Sequence, residues 1–288
     1  MLRKVKIILE MIKFEHTIFA LPFAFLGAIL GSLTVNGVWP TLSQWIWITV
    51  AMVGARSAAM SLNRVIDAQI DKRNPRTKER AIPAGLLKKA EVYVFIIISF
   101  ILLFFAAYKL NMLAVKLLPI AVFFLVIYSY TKRFTWACHL VLGIAIGLAP
   151  LGGWVATAGS LDLNAFLLFL AVMFWIAGFD VIYASQDAEY DKKEGLYSIP
   201  SYFGLEKALT MARMMHVVSF VAFIALFFTN DYLGYIYLTG VLISGVIMIY
   251  EHAIVKPNDL SKVDLAFFTM NGTLSVVMFI FSIGDLLI

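Results

Sequence analysis

Apolar and polar positions alternate along this chain in long blocks rather than residue by residue. Nine apolar runs come close to or reach the ~20 residues that a membrane-spanning helix needs. They lie at roughly 15–34, 44–62, 90–108, 112–128, 138–158, 164–184, 213–229, 232–250 and 265–287. None shows the period-two alternation of a barrel strand, so each run predicts a helix. Ahead of them, "MLRKVKIILEMIK" mixes apolar and basic positions at helical spacing. Residues 1–14 therefore predict an amphipathic helix on the membrane surface. Residues 15–288 predict a single transmembrane domain, an all-α bundle of about nine helices.

Composition agrees with the pattern. Of 288 residues, 62% are hydrophobic and 14% charged, where a soluble domain is about one quarter charged. So much apolar surface cannot be hidden from water in one core. The first run has no small-residue cleavage site and reads as a retained span. A lone cysteine, Cys138, excludes an internal disulfide and a thiolate cluster.

Charge adds orientation. Lys and Arg crowd the N-terminus (Arg3, Lys4, Lys6, Lys13), the second loop (Arg64, Lys72, Arg73, Arg76, Lys78, Arg80, Lys88, Lys89), and the fourth, sixth and eighth loops, while the odd loops are nearly bare. The positive-inside rule then puts the N-terminus and the even loops in the cytoplasm. The expected location is a bacterial or archaeal cytoplasmic membrane. The net charge of +5 reflects this topology. No nucleic-acid motif accompanies it.

One acidic phrase occurs twice on that side: "DAQIDK" at 67–72 and "DAEYDK" at 187–192. Four spans separate the copies, an even number, so the internal repeat is parallel. Residues four apart share a helix face. Asn63, Asp67 and Asp71 therefore stack, as do Asp187 and Asp191, with Asp180 seven residues earlier on the same face. Both phrases are expected to prolong their spans into water. Carboxylate and amide oxygens without His or Cys suit a hard cation, Mg²⁺ first, which binds one or two carboxylates plus substrate phosphates. Two acidic faces suggest two metal positions, and the interleaved basic residues complete a cradle for a polyphosphate. A solvated charged loop explains one such phrase more readily than two matched ones. A cation transporter would carry inverted repeats and charges at mid-membrane. This chain has a parallel repeat with its acids at one membrane edge. Arg56, seven residues before Asn63 and inside the second span, shares the acidic face and is costly there without an anionic partner.

These residues resemble the UbiA superfamily of membrane prenyltransferases, most closely bacterial 4-hydroxybenzoate polyprenyltransferase-like proteins. N63-x-x-x-D67-x-x-x-D71 resembles the first signature and D180-x6-D187-x-x-x-D191 the second, and "YSYTKRFT" at 128–135 resembles a further segment. The chain departs from the family at Arg64, where Asp is frequent, and at "RAIP", Arg80 to Pro83. The resemblance implies a prenyltransferase domain with motif loops at about 63–89 and 185–212. It implies Mg²⁺-dependent transfer from a polyprenyl diphosphate to a small aromatic acid such as 4-hydroxybenzoate, in ubiquinone or menaquinone biosynthesis. A futalosine-pathway precursor is the alternative acceptor, and ether-lipid, haem and chlorophyll branches are more distant ones. It implies that Asn63, Asp67 and Asp71 hold one metal and Asp187 and Asp191 the other, the four aspartates being catalytic. Asp180 then orients a basic residue or ligates through water. Arg80, Tyr128, Lys132 and Lys192 are diphosphate candidates. Arg56 or Arg133 holds the acceptor carboxylate.

Other features read as structure. His16, His139, His216 and His252 have no ligand spacing. G27-AIL-G31 and G143-IAI-G147 are small-residue patterns for close helix packing. Trp45, Trp47 and Trp154 predict an interfacial belt. Residues 251–264 read as a connector.

Overall fold

The structure is a computed structural model that describes residues 2–12 and 21–288. Twelve helices follow in order: α1 (Leu2–Met11), α2 (Leu21–Asn36), α3 (Leu42–Arg73), α4 (Lys89–Leu110), α5 (Met112–Thr131), α6 (Cys138–Ala158), α7 (Leu163–Ala184), α8 (Ala188–Lys193), α9 (Ile199–Phe203), α10 (Leu205–Thr229), α11 (Tyr235–Ile254) and α12 (Asn271–Leu286). A π-helical turn, Leu265–Met270, leads into α12. Among the described residues no strand forms, only an isolated bridge between Lys256 and Asp259.

Among the described residues, eight helical segments are long and apolar enough to cross a bilayer. The first expected span appears as α2, 16 residues long, and its expected start lies outside the described residues. The protein is an integral membrane bundle. Its strongest pairings set α3 on α4, α7 on α10, α2 on α6 and α6 on α7. The second-with-third span pairing thus recurs as sixth-with-seventh, as a parallel repeat requires.

Glycines set the closest approaches. A Cβ on Gly27 would collide with the Pro150 carbonyl of α6, and one on Gly143 with the Met173 carbonyl of α7. Both expected small-residue patterns therefore mark helix contacts. The largest core gathers around α7, with Phe23, Trp154, Trp175, Phe179 and Phe223 buried.

Three expectations change. Trp154 is fully buried against α2 and belongs to the core rather than the interfacial belt. Trp45 instead packs edge-on to Phe25 and Trp47 to Phe105. Residues 251–254 are the last turn of α11, and Glu251 is buried, so the connector begins only at Val255. α10 starts at Leu205, eight residues before its apolar run, and its first turns bury Ala208, Leu209 and Ala212 in one cluster with Ile199 of α9. The end of α1 also touches the bundle. Met11 and Ile12 join Val65, Leu87, Val92 and Ile96 in a buried cluster, and Arg64 Nε donates to the Met11 carbonyl at 3.2 Å.

Candidate active site

The first acidic motif rides on one unbroken helix. Thr41 and Gln44 form a capping box at the start of α3. Between Gly54 and Pro75 there is no glycine or proline to break it. The helix spans 32 residues, about 48 Å at 1.5 Å per residue. That exceeds the ~30 Å hydrocarbon core, so the motif emerges from it. Asn74 then adopts the extended conformation that a residue before proline requires.

On this helix Asn63 Nδ2 donates to Asp67 Oδ2 at 3.0 Å. Lys132 Nζ lies 2.8 Å from the same oxygen, and Arg133 Nη2 2.9 Å from Oδ1. Arg133 also donates to the Ser129 and Ile66 carbonyls, at 2.7 and 3.0 Å. Its fork is thus committed to joining α5 to α3. One turn on, Arg80 Nη1 meets Asp71 Oδ1 at 2.7 Å. Asp71 Oδ2 is buried with no hydrogen-bond partner among the described residues.

The second motif prolongs its span, Leu163–Lys193, as expected, but through a tighter turn. Ser185 Oγ bonds back to the Val181 carbonyl at 3.0 Å, and Ser185–Asp187 form a 3₁₀ turn between α7 and α8. A 3₁₀ residue turns the chain by about 120°, an α residue by about 100°, so three of them rotate the following face by roughly 60°. Asp180 precedes this turn and stays roughly on the side of Asp187, about 40° around the axis. Its Oδ2 meets His139 Nδ1 at 2.7 Å.

Side chains from both motif loops bring them to one place. Arg76 Nε donates to Asp187 Oδ1 at 3.0 Å, while its Nη2 pairs with the other oxygen. Its Nη1 reaches the Tyr183 hydroxyl at 2.9 Å. Burial alone would lower the Arg76 pKa, but the Asp187 carboxylate outweighs it and holds the guanidinium above its usual value. Asn74 Nδ2 also reaches Asp187, at 3.4 Å. The Tyr190 hydroxyl donates to the Ile70 carbonyl at 3.0 Å, and Arg73 pairs with Glu194 at 2.9 Å. Asp191 lies within electrostatic reach of Asp187 and Lys132.

Asn63, Asp67, Asp71, Arg80, Lys132, Arg133, Asp187 and Asp191 thus gather at one end of the bundle. Lys192 is exposed on α8. The Tyr128 hydroxyl donates to the Ala59 carbonyl at 3.0 Å. Arg56 is half-buried on α3, about 10 Å along the axis from Asn63. Arg76, Tyr183, Tyr190 and His139 were not singled out by the sequence. Arg76 is one basic residue among eight in its loop, and only the approach of α7 distinguishes it.

Among the described residues no three His, Cys, Asp or Glu side chains gather as a metal cage. An oxygen-only set with one bare buried carboxylate oxygen, at Asp71, nevertheless fits Mg²⁺. That ion completes its shell with water and substrate phosphate rather than with protein alone.

Acidic pairs brought to one end of a helical membrane bundle, with basic side chains between them, mark a membrane protein built around one charged site. The chain belongs to the UbiA prenyltransferase family, whose model matches residues 20–283; it is a transferase. It is 28% identical over 242 residues to the 4-hydroxybenzoate octaprenyltransferase of Vesicomyosocius okutanii subsp. Calyptogena okutanii, covering 84% of this chain and 87% of that one. A UbiA homolog from Aeropyrum pernix K1, solved in its apo form, has a TM-score of 0.81 at 31% identity, over 95% of this chain and 97% of that one. A UbiA homolog from Archaeoglobus fulgidus bound to GPP and Mg²⁺ shares the fold, with a TM-score of 0.73 at 17% identity, over 98% and 100% of the two chains.

Proposed function

We propose that this protein transfers a polyprenyl group from polyprenyl diphosphate to an aromatic acid such as 4-hydroxybenzoate, in quinone biosynthesis. The reaction takes place at the cytoplasmic face of the cell membrane and requires Mg²⁺. The observation that carries this reading is the bare, buried Asp71 oxygen beside Asn63 and Asp67, within a ring of Arg76, Arg80, Lys132 and Arg133. Carboxylates that hold several cations without a substrate are prepared for a polyanion that arrives with its own divalent ions. The relatives named for 4-hydroxybenzoate support the acceptor class.

Asn63, Asp67 and Asp71 would hold one Mg²⁺, and Asp187 and Asp191 the other. Bound there, Mg²⁺ supplies Lewis-acid stabilisation of negative charge on the diphosphate. Arg80, Lys132 and Lys192 bind diphosphate oxygens and stabilise the charge that grows as the allylic C–O bond breaks. The electron pair leaves with the diphosphate. The allylic carbon, now cationic, bonds to a ring carbon ortho to the acceptor hydroxyl, and the ring sheds a proton. Arg56, inside the second span, or Arg133, beside Asp67, holds the acceptor carboxylate. The prenyl tail extends into the bilayer.

The test is purified protein with Mg²⁺, a labelled short prenyl diphosphate and a panel of acceptors: 4-hydroxybenzoate, a naphthoate and a futalosine-type intermediate. Diphosphate release with a prenylated acid is expected. No product from any acceptor would sink the reading. Asp71→Asn keeps the bond to Arg80 but puts an NH₂ group in place of an oxygen ligand. It should weaken Mg²⁺ binding by about tenfold or more with little change in thermal stability. Chelation of Mg²⁺ should abolish turnover, and its return should restore it.

A further inference from the structure

We infer that His139, paired with Asp180, is a positioning residue that fixes the second acidic motif relative to the first; its catalytic consequence rests on the function proposed above. Asp191 is followed by a loop that leaves α8 and re-enters the bundle at α9. Besides the Arg73–Glu194 pair, these contacts shape and hold it. Leu196 N donates to the Asp191 carbonyl at 2.8 Å, and Tyr197 N to the Lys132 carbonyl at 2.7 Å. Cys138 Sγ lies 3.5 Å from the Tyr197 carbonyl. Ile199 N donates to His139 Nε2 at 3.2 Å.

The last contact sets the chemistry of the imidazole. Ile199 is fully buried, packed with Val181, Ile182 and Leu209, and a buried backbone N–H needs an acceptor. Because the amide only donates, Nε2 must present its lone pair. The proton is then on Nδ1, which donates it to Asp180 Oδ2 at 2.7 Å. Asp180 thus locks both the tautomer and the ring orientation, as a carboxylate behind a working histidine does. Ser198, next to Ile199, caps α9 by accepting from Ser201 N at 3.2 Å and lies beside Asp191.

One short stretch, Lys132 to His139, therefore touches both acidic motifs. Its first two side chains hold Asp67. Its last one holds the loop behind Asp191. Removing the imidazole leaves the Ile199 amide without its acceptor, and the loop carrying Asp191 loosens against a first motif that stays in place.

Hydrogen exchange on the full solubilised protein, without ligand, reads this directly. His139→Ala should speed exchange across 194–203 by about tenfold while the α3 segment 60–73 is unchanged. The Kd for inorganic diphosphate with Mg²⁺ and the donor KM should rise by about tenfold, and the acceptor KM should stay within about twofold. His139→Gln, whose amide both donates and accepts, should recover most of both effects. The double variant His139→Ala/Asp180→Ala should be no worse than His139→Ala alone, because the two act as one unit. Unchanged exchange in 194–203 would overturn the inference. So would equal rises in both KM values, or a Gln variant no better than Ala at equal thermal stability. If His139→Ala does not fold, Asp180→Ala against His139→Gln carries the same comparison: a normal donor KM in the first, or a raised one in the second, overturns it. Failure of the wild type to bind diphosphate would remove the proposed function while leaving the exchange result to stand on its own.

Discussion

Asp67 and Asp71 sit on an unbroken helix and are 2% and 4% exposed; Asp187 and Asp191 sit on a turn and a six-residue helix and are only half-buried. The same phrase is mounted in two ways. The first copy is rigid because α3 is rigid, and its burial obliges it to carry counter-charges: Lys132 and Arg133 on Asp67, Arg80 on Asp71. The second has no such backbone. It is held by side chains from elsewhere, Arg76 from the first motif loop and, at one remove, His139 from α6. The two copies thus differ in support: one rides on a long helix, and the other is held by side chains from other elements.

The largest effect should come from Asp67→Ala. It leaves Lys132 and Arg133 partly buried without their anion, so a loss of about 3 kcal/mol in stability is expected together with at least about a thousandfold loss of turnover. Asp187→Ala should cost comparable activity but much less stability. Thermal unfolding in detergent beside a product assay checks both, and equal destabilisation by the two variants would break the contrast between the copies. Next in size are two double-mutant cycles. The Asp71–Arg80 pair, 5% and 29% exposed, should show a coupling of about 1–3 kcal/mol. The Asp187–Arg76 pair, 18% and 35% exposed, should show about 1 kcal/mol, because solvent screens it more. A reversed order would mean that the second motif is the rigid one. The smallest effect belongs to Arg73→Ala. Its partner Glu194 is mostly buried, but Arg73 itself is 63% exposed, so the change in Tm should reflect no more than about 0.5 kcal/mol.

Much of this was legible without coordinates. The length and apolarity of each run gave the helical class, since a bilayer leaves the backbone no other spanning form among such runs. The four-residue spacing of Asn63, Asp67 and Asp71 placed them on one face because α3 is regular. The same spacing did not show the 3₁₀ turn at Ser185–Asp187, where Ser185 bonds back to a backbone carbonyl. Asp180 and His139 are far apart in sequence, and nothing local in either links them. Arg64 looked like a departure from a motif, yet it ties α1 to α3.

The sequence by itself determined what depends on one helix or on solvent: the membrane class, the span pattern, the charge asymmetry and the acidic faces. These follow from short-range geometry and transfer free energy, which each segment expresses alone. Only the tertiary structure decided which cation meets which carboxylate, which aspartate keeps a bare oxygen, and that a histidine of no evident purpose holds the second motif. Such choices depend on distances between helices, and those are set by packing at glycines and buried side chains across the whole bundle.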